Sequence, residues 1–253
     1  MLFSVKTKFS AFVIHLLISV FIAILSSIVV FLVWYPYPYR EISSGKELFT
    51  LLISIDVVLG PLLTFIVFNY KKSKREKIFD FSMIALLQTG ALFYGLITVS
   101  QARPIYTVFE YDRFSVVHTT DVPIELVKEA KKEFQEFPWT GPVYLSLRPL
   151  IGREQYNMTV AALEGLSLSA RPELWRSYDE GRSDVLKNAK PISDLIKRFE
   201  SKRDIIEKEI KSTGVSNENL AYLPLVSRKT IFWTILIDKQ TGNPVGFIPI
   251  DPY

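Results

Sequence analysis

Three apolar runs of membrane length fill the first hundred residues, and the rest of the chain must be arranged around them. They extend from about Phe9 to Trp34, Leu48 to Phe68 and Ile78 to Val99. A helix of about 20 apolar residues crosses the ~30 Å of hydrocarbon in a bilayer. The first run is too long for the apolar part of a secretory signal and lacks a small-residue cleavage site. It ends in Trp34-Tyr35-Pro36-Tyr37-Pro38-Tyr39, which suits an aromatic belt at a membrane interface, so it reads as a retained span. The expected fold class is a membrane protein with three transmembrane α-helices followed by a soluble α+β domain, an antiparallel sheet with helices on one face. The expected division is 1–102 for the spans and 103–253 for the soluble domain, whose ~150 residues are enough to bury a core.

Orientation follows from the basic residues. Lys6 and Lys8 precede the first span, and Lys71-Lys72-Ser73-Lys74-Arg75-Glu76-Lys77 joins the second to the third. The other side carries only Arg40 and Lys46, then Arg103 and Arg113. This bias puts the N-terminus and the basic loop in the cytoplasm, and everything beyond Val99 outside it: periplasmic in a Gram-negative cell, with the spans in the inner membrane. The basic loop also suits contact with lipid headgroups. The net charge of +4 comes partly from that loop and gives no reason to expect nucleic acid. The chain has no cysteine, which excludes disulfides, thiolate metal sites and thiol nucleophiles.

The second run contains the feature that needs explaining. Ser54-Ile55-Asp56-Val57-Val58-Leu59-Gly60-Pro61 places a carboxylate in a membrane span, four residues before a Gly-Pro pair. An intramembrane carboxylate costs at least ~2.5 kcal/mol and faces protein or a cavity rather than lipid. Proline in a helix frees a carbonyl that neighbours must satisfy. Counted from the cytoplasmic ends, Asp56 lies ~18 Å deep and Gln88 of the third span ~15 Å, so the two can share a level. His15 lies at ~9 Å, nearer Thr64 at ~6 Å, so His15 and Asp56 are not expected to pair directly. Gln88-Thr89-Gly90 forms a small polar notch, and Gly90 and Gly95 allow close helix approach. Three readings of Asp56 stay open: an internal contact that holds the spans, a contact to a partner, or a proton or transport site. Three spans without an inverted repeat give little support to the last.

Beyond Arg103-Pro104, strands are expected at Ile105–Glu110 and Phe114–His118, joined by a turn, and at Val143–Leu147. Asp121 is placed to cap a helix from Pro123 to Phe137. Residues Gly152–Leu163 and Ser183–Ala189 have helical character, and Ile192–Lys211 gives the clearest helix, ended by Gly214. Thr230–Ile237 and Val245–Ile250 read as a hairpin around Asp238-Lys239-Gln240-Thr241-Gly242. No catalytic constellation emerges. The two histidines, His15 and His118, fall in different compartments, and Glu164, Asp179 and Glu180 have no spacing that marks a carboxylate pair. Asn157-Met158-Thr159 matches a glycosylation sequon at chance frequency. No cofactor, metal or enzymatic activity is expected.

Several stretches resemble a known family. They are Phe12-Val13-Ile14-His15-Leu16-Leu17-Ile18-Ser19, Phe31-Leu32-Val33-Trp34-Tyr35-Pro36, Ile55-Asp56-Val57-Val58-Leu59-Gly60-Pro61-Leu62-Leu63-Thr64 and Phe79-Asp80. Ala85-Leu86-Leu87-Gln88, Tyr94-Gly95, Arg103-Pro104, Leu220-Ala221-Tyr222-Leu223-Pro224-Leu225 and Asp238-Lys239-Gln240-Thr241-Gly242 complete the set. Together they resemble the TfpX/TfpZ family of type IV pilin accessory proteins. The resemblance is dense over the spans, good over the last thirty-odd residues and loose between Tyr111 and Asn219. It implies a non-enzymatic, chaperone-like inner-membrane protein that accompanies a major pilin and promotes assembly or dynamics of type IV pili. On that reading, Asp56, Gly60, Pro61, Gln88, Gly90 and Gly95 form the partner-binding surface for the pilin's apolar helix, and the soluble domain meets the pilin head. The alternative is a membrane-anchored periplasmic ligand-binding or sensor protein.

Overall fold

A computed structural model describes residues 7–152, 154, 155, 165, 167–227 and 231–253. The chain divides into two compact units, Met1–Arg103 and Pro104–Tyr253.

The first unit contains three helices long and apolar enough to cross a membrane, Lys8–Trp34, Gly45–Val67 and Lys74–Gln101. The first is α1 (Lys8–Ile28), continued by a π-helical turn over Val29–Trp34. Thr7 caps it by accepting the Ser10 N–H at 3.1 Å. After the short α2 (Tyr39–Ile42), the second comprises α3 (Gly45–Ser54), a π turn over Ile55–Leu59 and α4 (Gly60–Val67). The third is α5 (Lys74–Gln101), which begins in a capping box between Ser73 and Glu76. Its first turn is charged, so the helix starts earlier than the apolar run does. Lys72 of the preceding loop pairs with Asp80 at 2.6 Å, which satisfies that carboxylate near the start of the helix.

The aromatic run after the first span differs from the expected interfacial belt. Trp34, Tyr35 and Tyr39 are buried, and Tyr37 is the exposed member. Tyr35 donates its hydroxyl to the Val99 carbonyl at 2.9 Å and packs in a cluster with Val30, Trp34, Phe49 and Val99. A Cβ on Gly45 would stand 2.4 Å from the Tyr35 ring, so this position has no room for a side chain. These rings lock the ends of the three spans to one another.

The second unit is built on an eight-stranded sheet in the order β4-β3-β1-β2-β6-β7-β8, with β5 also on β6. The strands are β1 (Pro104–Glu110), β2 (Arg113–His118), β3 (Val143–Leu147) and β4 (Trp175–Ser177). They continue with β5 (Lys190–Pro191), β6 (Leu220–Ser227), β7 (Ile231–Asp238) and β8 (Pro244–Ile248). The sheet is mixed, which corrects the antiparallel expectation. The β1–β2, β6–β7 and β7–β8 pairs are antiparallel, whereas β3 runs parallel to β1 and β6 parallel to β2. A parallel neighbour requires a long crossover. The stretch 119–142 supplies one for β3, and 119–219 carries the chain round to β6.

Two of the expected helices are broken. Asp121 does not cap a helix to Phe137; it accepts the His118 backbone N–H at 2.8 Å and lies 2.8 Å from His118 Nδ1. The helix there is only α6 (Ile124–Val127), and Lys131 is already extended before a 3₁₀ turn at Lys132–Phe134. The long helix from Ile192 splits at Phe199 into α8 (Ile192–Arg198) and α9 (Arg203–Thr213), with a 3₁₀ turn between them. Gly214 ends α9 at a φ of 69°, a left-handed conformation open to glycine. The helix expected from Ser183 starts earlier, as α7 (Tyr178–Asn188), because Ser177 caps it through the Glu180 N–H. Most of Gly152–Leu163, the sequon, Glu164 and Thr230 lie outside the described residues.

Two clusters of the core are formed by described residues. One lies on the β1–β4 side around Tyr106, Leu145, Leu174 and Trp175; the other packs α8 and α9 against β6–β8 through Leu195, Ile206, Leu220 and Leu236. Burial pushes the Tyr106 phenol up to about 12, from an ordinary value near ~10. The folded state therefore keeps its proton where the unfolded chain loses it, so stability is full below ~10 and falls as pH rises toward ~12. In denaturant unfolding between pH ~9 and ~11.5, Tyr106→Phe is expected to flatten the alkaline decline; equal slopes in the two proteins would contradict this.

Candidate functional site

The residue pattern around Asp56 produces a specific backbone defect. Over Ile55–Leu59 the helix takes π geometry, in which each N–H reaches the carbonyl five residues back. The donor due to the Asp56 carbonyl in that register is residue 61, and Pro61 has none. Gln88 of α5 supplies the missing bond, donating its amide to the Asp56 carbonyl at 3.3 Å. Gly60 makes the approach possible: a Cβ there would stand 1.8 Å from Gln88 Nε2. Pro61, Gly60 and Gln88 are thus one device, a carbonyl freed in one helix and satisfied from another.

The Asp56 carboxyl is not part of that device. Its Oδ2 is buried and has no hydrogen-bond partner. His15 Nδ1 lies 2.5 Å from the Thr64 hydroxyl, which joins the first span to α4, and the His15 ring also meets the Gln88 side chain. His15 and Asp56 face one cavity of about 410 Å³ among the three spans. Ala11, Ser19 and Ala23 line it from α1, and Ala85, Gln88 and Thr89 from α5.

The other candidate positions divide by role. Gly95 is used within the chain, since a Cβ there would stand 2.1 Å from Leu52 Cδ1. Gly90 is exposed, would accept a Cβ with nothing within 4 Å, and does not line the cavity. The wall supplied by α1 was not legible as a site. Ala11, His15, Ser19 and Ala23 recur every four residues, a spacing that marks one face of a helix and was the available signal.

Among the described residues, the ionisable groups singled out in the second unit, His118, Asp179 and Glu180, each meet a local partner. His118 is fully buried beside Asp121, Asp179 contacts Arg182, and Glu180 pairs with Lys131 at 3.2 Å. Among the described residues, no three His, Asp or Glu side chains are grouped to hold a metal ion.

Comparison with known proteins adds to this geometry. The family described as Fimbrial assembly protein FimB matches residues 3–44. The fimbrial assembly protein of serogroup I from Dichelobacter nodosus is 35% identical over 242 residues, covering 95% of this chain and 94% of that protein. The serogroup E1 protein of the same organism is 34% identical over the same shares. A protein of serogroups C1 and C2 is 41% identical over 117 residues, 46% of this chain and 89% of its own length. These proteins carry the fimbrial assembly name rather than the TfpX/TfpZ name. No solved structure matches. With similarity running nearly end to end in both chains, the protein belongs to the fimbrial assembly protein family.

Proposed function

We propose that this chain is a non-enzymatic accessory protein of the bacterial inner membrane that promotes assembly or dynamics of type IV pili by contacting the major pilin. A role in fimbrial biogenesis follows from the family; the finer statement draws on the spans and on the TfpX/TfpZ resemblance. The observation that carries it is the cavity among the three apolar helices, whose walls include the small residues Ala11, Ser19 and Ala85. Small residues let another helix approach closely in a membrane, where packing rather than hydrophobicity drives association. The bias of basic residues puts the second unit on the outer side of the membrane, where it meets the head of the pilin.

The direct test is deletion of the gene in a fimbriate host, with surface fimbriae and total pilin measured in parallel. Loss of most surface fimbriae while pilin is still made is the expected result. Unchanged fimbriation would overturn the proposal.

A further inference from the structure

The cavity among the spans contains more than apolar walls. Asp56 faces it, and Asp56 Oδ2 has neither solvent nor a hydrogen-bond partner. Two of the polar side chains lining it are engaged elsewhere, the Gln88 amide on the Asp56 carbonyl and the His15 ring on Thr64 and Gln88, and the Ser19 and Thr89 hydroxyls on the same walls do not bond Asp56 Oδ2. Among the described residues, no lysine or arginine lines the cavity. A carboxyl in hydrocarbon without a partner is costly, and such groups are met by a donor or an opposite charge.

We infer that this groove takes one apolar transmembrane helix of another protein, and that this helix presents a hydrogen-bond donor to Asp56 about 18 Å from the cytoplasmic ends of the spans. A lipid acyl chain fills volume but has no donor for the carboxyl. A second copy of this chain docked about a two-fold axis through the groove would bring Asp56 against Asp56, acid against acid. A donor on a foreign helix satisfies both the shape of the groove and its chemistry. This inference rests on the fimbrial role proposed above, which makes the incoming helix the membrane segment of the fimbrial subunit.

The test uses the full-length protein in fimbriate cells, with a photocrosslinking amino acid at Ala85, a position on the cavity wall. Adducts are identified by mass spectrometry in wild type, Asp56→Asn and Asp56→Leu. The expected adduct is the major pilin, reduced by about tenfold in Asp56→Leu and far less in Asp56→Asn, because asparagine keeps an acceptor oxygen. Protein level in the membrane is measured for each variant, and yields are expressed per molecule. Pilin adducts undiminished in Asp56→Leu would overturn the donor contact while leaving the fimbrial role intact. Equal loss in Asn and Leu would show that the incoming helix needs the carboxylate charge rather than an acceptor oxygen, and would overturn the donor contact in favour of an ion pair. Adducts only with lipid, or only with a second copy of the chain, would overturn the inferred occupant. Failure of the broader role is separate, because it shows as normal fimbriation after gene deletion.

Discussion

Trp175→Ala is expected to unfold much of the second unit and to leave cells without fimbriae, although Trp175 belongs to no candidate site. The side chain is 2% exposed. Its ring meets Tyr106 edge-on at 4.8 Å and Phe134 at 6.3 Å, and its Nε1–H donates to the Ser169 carbonyl at 2.8 Å. Truncating a buried tryptophan costs about 3–5 kcal/mol, against a total of about 5–15 kcal/mol for a domain. The Ser169 carbonyl would also lose its donor. Trp175→Phe separates the two effects. It retains most of the packing and loses the N–H, at a cost of about 1–3 kcal/mol. Denaturant unfolding of the full-length protein in detergent checks both. If Ala and Phe cost the same, the hydrogen bond rather than ring volume holds this core.

Gly60→Leu is the second large effect. Gly60 is buried, and its missing Cβ is the space that Gln88 Nε2 fills. Alanine here is expected to push Gln88 aside, because the end of a glutamine can rotate. The Asp56 carbonyl is then left without a donor beside Pro61, a loss of about 1–3 kcal/mol. Leucine has no such escape, and it must separate α4 from α5. Low accumulation in the membrane and loss of fimbriae are expected for Gly60→Leu, with Gly60→Ala intermediate. Gln88→Leu serves as the control, since it removes the same hydrogen bond without adding volume at position 60. Wild-type accumulation of Gly60→Leu would show that the close approach of these helices is not needed.

The sequence discloses the features that obey one-dimensional rules. The three long apolar helices were legible because crossing hydrocarbon demands about 20 apolar residues in a row, a run that stands out in any sequence. The β1–β2 and β7–β8 hairpins were legible because their partners are adjacent and their turns are marked in composition. The depth estimate brought Gln88 and Asp56 to one level, and they do meet, through the Asp56 carbonyl rather than its carboxyl. The π turn is what directs the bond there, and a sequence period does not reveal it.

Pairings between distant segments were hidden. Phe114 lies beside Leu225 in a parallel register, and nothing local to either residue specifies the other. The long helix from Ile192 was read as continuous because its apolar period survives the break at Phe199. The burial of Tyr35 was missed for a similar reason. An aromatic run at a span end has the same composition whether it faces headgroups or a neighbouring helix.

An encounter with a fimbrial subunit needs residues 104–253 on the outer side of the membrane, and topology reporters test that requirement directly. Alkaline phosphatase folds only where its own disulfides form, outside the cytoplasm, and this chain has no cysteine to interfere. Fused after Tyr253 it is expected to be active, and fused in the basic loop after Lys72 it is expected to be inactive. Activity in the loop fusion with none at the C-terminus would place the second unit in the cytoplasm and contradict the proposed meeting.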